Sequence, residues 1–156
     1  MNIIRSVIVD PCSDSFWEDT SAITAIADVR PVLILTTPYS DDGREEIQLQ
    51  KMLVASGLQP EQYNIVQIES TQKVAWHQLR EKLNPKVVFL IGISPTQLGI
   101  SAMFQLNIVN HFNSLLWLPT ISLAGLEQNA ELKKQLWVSG MKPLFVDKTY
   151  GDVLTN

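Results

Sequence analysis

Apolar positions along the chain come in two textures: short continuous runs, and stripes at helical spacing. Four runs have the length and composition of strands: residues 32–37 (VLILTT), 63–68 (YNIVQI), 87–92 (VVFLIG) and 115–123 (LLWLPTISL). VVFLIG is apolar on consecutive positions, as a strand buried on both faces requires. Between the runs the period lengthens. Across 45–56 (EEIQLQKMLVAS), Ile47, Leu49, Met52 and Leu53 form an inward stripe, and Gly57 supplies a stop. Across 71–83 (TQKVAWHQLREKL), Val74, Leu79 and Leu83 recur at helical spacing until Asn84-Pro85 ends the pattern. A further helix is expected within 95–113, with Ile100, Met103, Phe104 and Ile108 inward. Near the end, Asn129 is placed to cap a last helix, with Glu131 in its first turn and Leu132, Leu136 and Trp137 inward.

Strands alternating with helices predict a three-layer α/β/α sandwich around a central, mostly parallel sheet of four to five strands. That pattern covers a single domain over 31–156. Residues 1–30 fit it less well. RSVIV has the composition of an edge strand, but PCSDSFWEDTSAI is polar and irregular, with Phe16-Trp17 set among Asp10, Asp14, Glu18 and Asp19. Aromatics in such a stretch serve either an arm folded back on its own domain or a short partner-docking element.

Composition narrows the setting. A chain of 156 residues, 46% of them apolar, sustains one sizeable core. No run of about 18 apolar residues is present to span a membrane. The start, MNIIRSVIVD, lacks the anatomy of a signal peptide. One cysteine, Cys12, excludes an internal disulfide framework and any cysteine-based metal or iron–sulfur centre. A reducing cytoplasm is the expected compartment, with no cofactor. The net charge of −4 argues against nucleic-acid binding by overall field. Lys133, Lys134, Lys142 and Lys148 gather late in the chain, either as a solvated face or as a modest phosphate-touching patch.

Candidate chemistry is sparse. No HExxH, GxSxG, GxxxxGK[ST] or GxGxxG occurs. His77 and His111 fall on expected helices, away from strand ends, and Asp41-Asp42-Gly43 reads as a turn. Open α/β sheets bind ligands outside the carboxyl ends of their strands. Those ends carry Thr36-Thr37-Pro38-Tyr39, Gln67-Ile68, Gly92-Ile93-Ser94 and Ser122, which are hydroxyls and an amide without acid or imidazole.

Three segments in order, spanning about residues 32–145, resemble the uracil-DNA glycosylase superfamily. They are VLILTTPYSDDG with GLQPEQYNIVQIE, then PKVVFLIGISPTQLGI, then SLAGLEQNAELKKQLW. The resemblance implies a glycosylase-like fold and also shows where the catalytic pattern departs. Thr36 and Thr37 stand where the family has a Gly and then the acid that orients water. Gln67 replaces the uracil-reading Asn, Ser122 replaces the His that stabilises the departing base, and Leu123 replaces the Pro after it. Losing such groups costs on the order of 10²–10⁴ in rate each.

A glycosylase-like fold with a dismantled site is similar to the psi subunits of the bacterial DNA polymerase III holoenzyme, whose tails resemble SLAGLEQNAELKKQLW at Leu123, Leu126, Asn129 and Trp137. That resemblance implies a non-catalytic connector with the chi subunit and clamp-loader subunits as partners, and at most weak or indirect contact with single-stranded DNA. Phe16, Trp17 and Trp117 are its candidate partner-binding residues. A divergent DNA-processing glycosylase and a small-ligand-binding α/β domain are the alternatives.

Overall fold

Val32–Thr36 and Val87–Ile91 lie side by side in parallel, Val32 opposite Val87 and Thr36 opposite Ile91. Every residue of both strands has 0% exposure. A strand so buried must pair on both edges and be covered on both faces, and the rest of the chain supplies that.

The computed structural model describes residues 6–8, 29–40, 43–69 and 71–153. In chain order the elements are β1 (Ser6–Ile8), β2 (Val32–Thr36), α1 (Arg44–Ala55), β3 (Tyr63–Gln67), α2 (Trp76–Leu83), β4 (Val87–Ile91), β5 (Asn110–Phe112), β6 (Leu115–Thr120), α3 (Leu123–Gln128) and α4 (Ala130–Leu136). The last continues into a π-helical segment, Trp137–Val146, and single 3₁₀ turns occur at Pro60–Gln62 and Pro95–Leu98. The sheet has six strands in the order β1-β3-β2-β4-β6-β5. Five are parallel, and β5 runs antiparallel to β6 at the edge.

Alternating side chains of the strands feed two cores. Val32, Ile34, Ile65, Phe89 and Leu118 face one side, with Leu49 and Leu53 of α1, Leu123, Leu126, Leu136 and Met141. Leu33, Leu35, Val66, Leu90 and Trp117 face the other, with Leu79 and Leu83 of α2 and with Leu98 and Ile100. Helices therefore flank both faces of a mostly parallel sheet, as the sequence pattern predicts. Each fully buried Val, Leu, Ile or Phe contributes roughly 1.5–3 kcal/mol relative to exposure, so these two layers dominate stability.

The four apolar runs become β2, β3, β4 and β6, and the segment 1–30 contributes β1 through the RSVIV run. Three expectations need correction. Ile47 is 48% exposed; α1 instead turns Gln48, Leu49, Met52 and Leu53 inward, and the Gln48 amide donates to the Leu123 carbonyl at 3.1 Å. The helix expected from 71 begins only at Trp76, since residues 72–75 are not helical and Ala75 is extended.

The helix expected within 95–113 does not form. It stops after one 3₁₀ turn, Asn107 adopts a left-handed conformation, and Asn113 and Ser114 both have positive φ, 55° and 65°. Two such residues make a tight hairpin whose twist suits paired strands, so 110–112 becomes β5 and carries His111 with it. That hairpin is why the sheet exceeds the expected four to five strands. Ile100 is buried as expected, but Met103 is 97% exposed, and Phe104 and Ile108 are half-buried.

Trp117 is the centre of the second core. It has 0% exposure, its ring lies 4.7 Å from Trp76 and 5.3 Å from Phe104, and its indole N–H donates to the Phe112 carbonyl at 2.9 Å. On the other side, Leu118 leaves room only for a residue without Cβ. A methyl at Gly140 would stand 2.6 Å from Leu118 Cδ1 and 3.2 Å from the Asn107 carbonyl. The Asn107 side chain in turn accepts from the buried Thr120 hydroxyl at 2.6 Å.

Replacing Trp117 with alanine removes the hub of the aromatic cluster and is expected to cost about 3–5 kcal/mol in chemical denaturation. A cost below about 1 kcal/mol would show that the ring does not hold the core.

Candidate functional site

The chain leaves β2 for β3 on one side and leaves β4 for the opposite edge, so the strand order reverses between β2 and β4. The crevice outside their carboxyl ends is where such a sheet places a ligand. Here the ladder continues beyond the strands. The Thr37 N–H donates to the Ile91 carbonyl at 3.3 Å, Ile68 N–H to Thr36 at 2.8 Å, and Gly92 N–H to Thr120 at 3.0 Å.

Side chains at this edge are turned to the same internal use. The Thr36 hydroxyl, at 0% exposure, donates to the Thr37 carbonyl at 3.1 Å. The Gln67 side-chain carbonyl, 3% exposed, accepts the Tyr39 N–H at 3.2 Å and so fastens the loop after β2 to the end of β3. Ser122 is the N-cap of α3, its Oγ accepting the Gly125 N–H at 3.2 Å. Gly92, at φ 73°, lies directly against it: a Cβ there would be 3.0 Å from Ser122 Cα. The backbone of the Ser122 turn thus occupies the space beside the end of β4.

A residue that the sequence pattern did not single out completes this edge. Gln97 donates through Nε2 to the carbonyls of Glu69 and Gln72 at 3.0 and 3.1 Å, and its Oε1 accepts the Ser94 N–H at 3.1 Å. Its own carbonyl accepts the Val74 N–H at 2.8 Å. One amide therefore clasps the loop after β3 to the turn after β4. The signal is present in the sequence as Ser94-x-x-Gln97, the spacing of a capping box.

Of the five positions compared with the glycosylase site, Thr36, Gln67 and Ser122 are joined to neighbouring backbone through their side chains, Thr37 through its N–H, and Leu123 is buried in the first core. None can act as a general base near neutral pH. Hydroxyls and amides of this kind can still orient a bound group, but the Thr36 hydroxyl and the Gln67 side-chain carbonyl already have internal hydrogen bonds that compete with it.

The remaining candidates are dispersed. Trp117, considered for partner binding, is buried in the core and out of a partner's reach, because its ring packs against Trp76 of α2 and Phe112 of β5. Phe16 and Trp17 lie outside the described residues, as do Asp41 and Asp42. His77 is exposed on α2 as expected, and His111 is exposed on β5 with its ring 5.5 Å from Tyr150. Among the described residues no three His, Cys, Asp or Glu side chains gather as a metal site would require. Lys142 and Lys148 pair with Asp147 and Asp152 at 3.8 and 3.5 Å, while Lys133 and Lys134 stand exposed on α4.

Open clefts occur on the helical faces. One of ≈630 Å³ lies at the start of α2, between Trp76, His77, Ile100 and Phe112, and the buried Trp76 indole N–H has no hydrogen-bond partner among the described residues. Three others follow the outer side of α1 and share Ala55. The helical stripe on α1, read with Ile47 inward, conceals this belt; Val54, at 73% exposure on the same helix, is its most visible sign.

Comparison with known protein families returns no match, and comparison with curated proteins returns none either.

If the carboxyl edge is structural, disturbing it costs stability. Gly92→Ala should lose about 1–2 kcal/mol, the cost of a left-handed backbone with a Cβ, while the close Ser122 backbone adds to it. Ser122→Ala should lose about 0.5–2 kcal/mol as a missing N-cap. Thermal or urea unfolding measures both, and no change in either variant would contradict the closed edge.

Proposed function

We propose that the chain is a non-catalytic connector of the psi type, joining a clamp loader to the chi subunit and its single-stranded-DNA-binding protein. The observation that carries this reading is the internal use of the carboxyl edge. At the place where a glycosylase-like sheet would hold a base and activate water, Gln67 fastens the Tyr39 backbone and Ser122 caps α3. Thr36 and Thr37 stand where an acid would be needed. A hydroxyl in place of an imidazole offers no preorganised positive charge to a departing base anion. A fold whose ligand edge is spent on its own backbone has its outer helical faces left for other proteins.

The experiment is mass spectrometry of complexes purified on this chain from its native cell, combined with a uracil-release assay on the pure protein. Recovery of chi and clamp-loader subunits, with no release of uracil from single-stranded DNA above a buffer control, is the expected result. Uracil release abolished by substitution at Gln67 would overturn the connector reading in favour of a divergent glycosylase. A clean purification without replication subunits would remove the psi assignment.

A further inference from the structure

Four of the eight exposed large apolar side chains among the described residues lie on two elements, Ile47 and Val54 on α1, at 48% and 73% exposure, and Val138 and Val146 on the closing segment, at 54% and 46%; Val54 and Val146 line one cleft together. Apolar surface gathered in this way, with polar residues around it, marks an interaction site more often than chance exposure does.

The belt has a structural cause. The first half of α1 is held to α3, by the Gln48 amide on the Leu123 carbonyl at 3.1 Å and by Arg44 on Glu127 at 2.9 Å. Beyond α4 the chain widens into π-helical turns, shown by the Asp147 N–H donating to the Lys142 carbonyl, five residues back, at 2.9 Å. Such turns are rare overall and occur often at functional sites. Between the second half of α1 and this closing segment a cleft of ≈190 Å³ opens over Met52, Leu136, Trp137 and Met141. It has room for one large side chain, and Ala55 in its wall also lines a wider cleft of ≈520 Å³ beside Phe145 and Val146.

Charge selects the occupant. The charged residues lining the smaller cleft are Lys51 and Lys133, with no carboxylate among its walls. In a chain of net charge −4, a cationic rim around an apolar slot is a local departure, and it attracts acidic segments while repelling basic ones. A second copy meeting the same face by two-fold symmetry would bring two lysine-bearing rims together, like charge against like.

We propose that the outer face of α1 and the segment Trp137–Val146 form a docking surface for an acidic peptide segment that carries one large apolar anchor. The anchor enters the slot over Met52 and Met141, and its acidic neighbours meet Lys51 and Lys133. This names the binding face of the connector described above and rests on that reading for its biological partner.

The test is an NMR titration of the full chain with two short synthetic peptides, one with a single Trp flanked by Asp and Glu, and one with the same Trp flanked by Lys. The acidic peptide should shift the amides of Lys51, Ala55, Lys133 and Trp137 in a saturable way, and the basic peptide should not. The double variant Lys51→Glu, Lys133→Glu should weaken the acidic peptide roughly tenfold, the effect of a modest loss at two rim charges. These exposed residues lie outside both cores, and an unchanged spectrum elsewhere verifies the fold. No saturable shift at millimolar acidic peptide, equal binding of both peptides, or shifts confined to another face would overturn the proposal, as would concentration-dependent dimerisation through this surface. Purification from the native cell with wild type and double variant separates the two readings. Equal recovery of replication subunits by both leaves the connector and removes this surface. Peptide binding without any recovered subunit leaves the surface and removes the connector.

Discussion

The register of β2 against β4 is the constraint from which the remaining architecture follows. Five residue pairs, from Val32 opposite Val87 to Thr36 opposite Ile91, are sealed from solvent on both sides of the sheet. Buried backbone groups must be bonded, so β3 and β6 pair along the outer edges of these two strands. Buried apolar side chains on both faces must be covered, so α1, α3 and α4 pack on one side and α2 on the other. A slip of one residue would turn Leu33 and Leu35 toward the core built for Val32 and Ile34, and the two sides are not interchangeable. One holds the aromatic cluster around Trp117, the other the close approach of Gly140 to Leu118.

The same constraint shapes the carboxyl edge. Central strands that go on bonding past their ends, through Thr37, Ile68 and Gly92, draw the following loops onto the sheet. The loops then need partners of their own, and the polar residues at this edge provide them. Gln67 holds the Tyr39 turn, Gln97 clasps two loops, and Ser122 starts α3 against Gly92. Here Gln67, Gln97 and Ser122 each hold backbone groups in the folded state.

How much of this was legible in the sequence depends on the range of the interaction. The run VVFLIG reports burial on both faces directly, because a strand between two helical layers has no polar face to show; YNIVQI is equally buried although it carries Asn64 and Gln67. A cap is local too, and Asn129 could be read from its place before the first turn of α4. The hairpin was not legible in the same way. Ile100, Met103, Phe104 and Ile108 mimic a helical stripe, and the left-handed turn at Asn113-Ser114 overrules it. Nor could the spacing on α1 distinguish an inward Ile47 from an inward Gln48, since that choice depends on a carbonyl of Leu123, 75 residues away. At the candidate site, the lack of acid and imidazole was visible in the residue types, while the hydrogen bonds that commit Gln67 and Gln97 join loops 28 residues apart.

Ser122 shows why a site position can mislead when read in isolation. Set against the glycosylase pattern it reads as a missing imidazole; in the fold it is the N-cap from which α3 begins. Any side chain at this place has to clear Gly92, whose lack of a Cβ is what permits the close approach, since a methyl added there would stand 3.0 Å from Ser122 Cα. An N-cap must present a short acceptor to the first turn, and serine does so with the fewest atoms in a crowded space. The two demands, a compact cap and a projecting base, compete for one position. In this chain the cap holds it, through the Ser122 hydroxyl oxygen that accepts the Gly125 N–H.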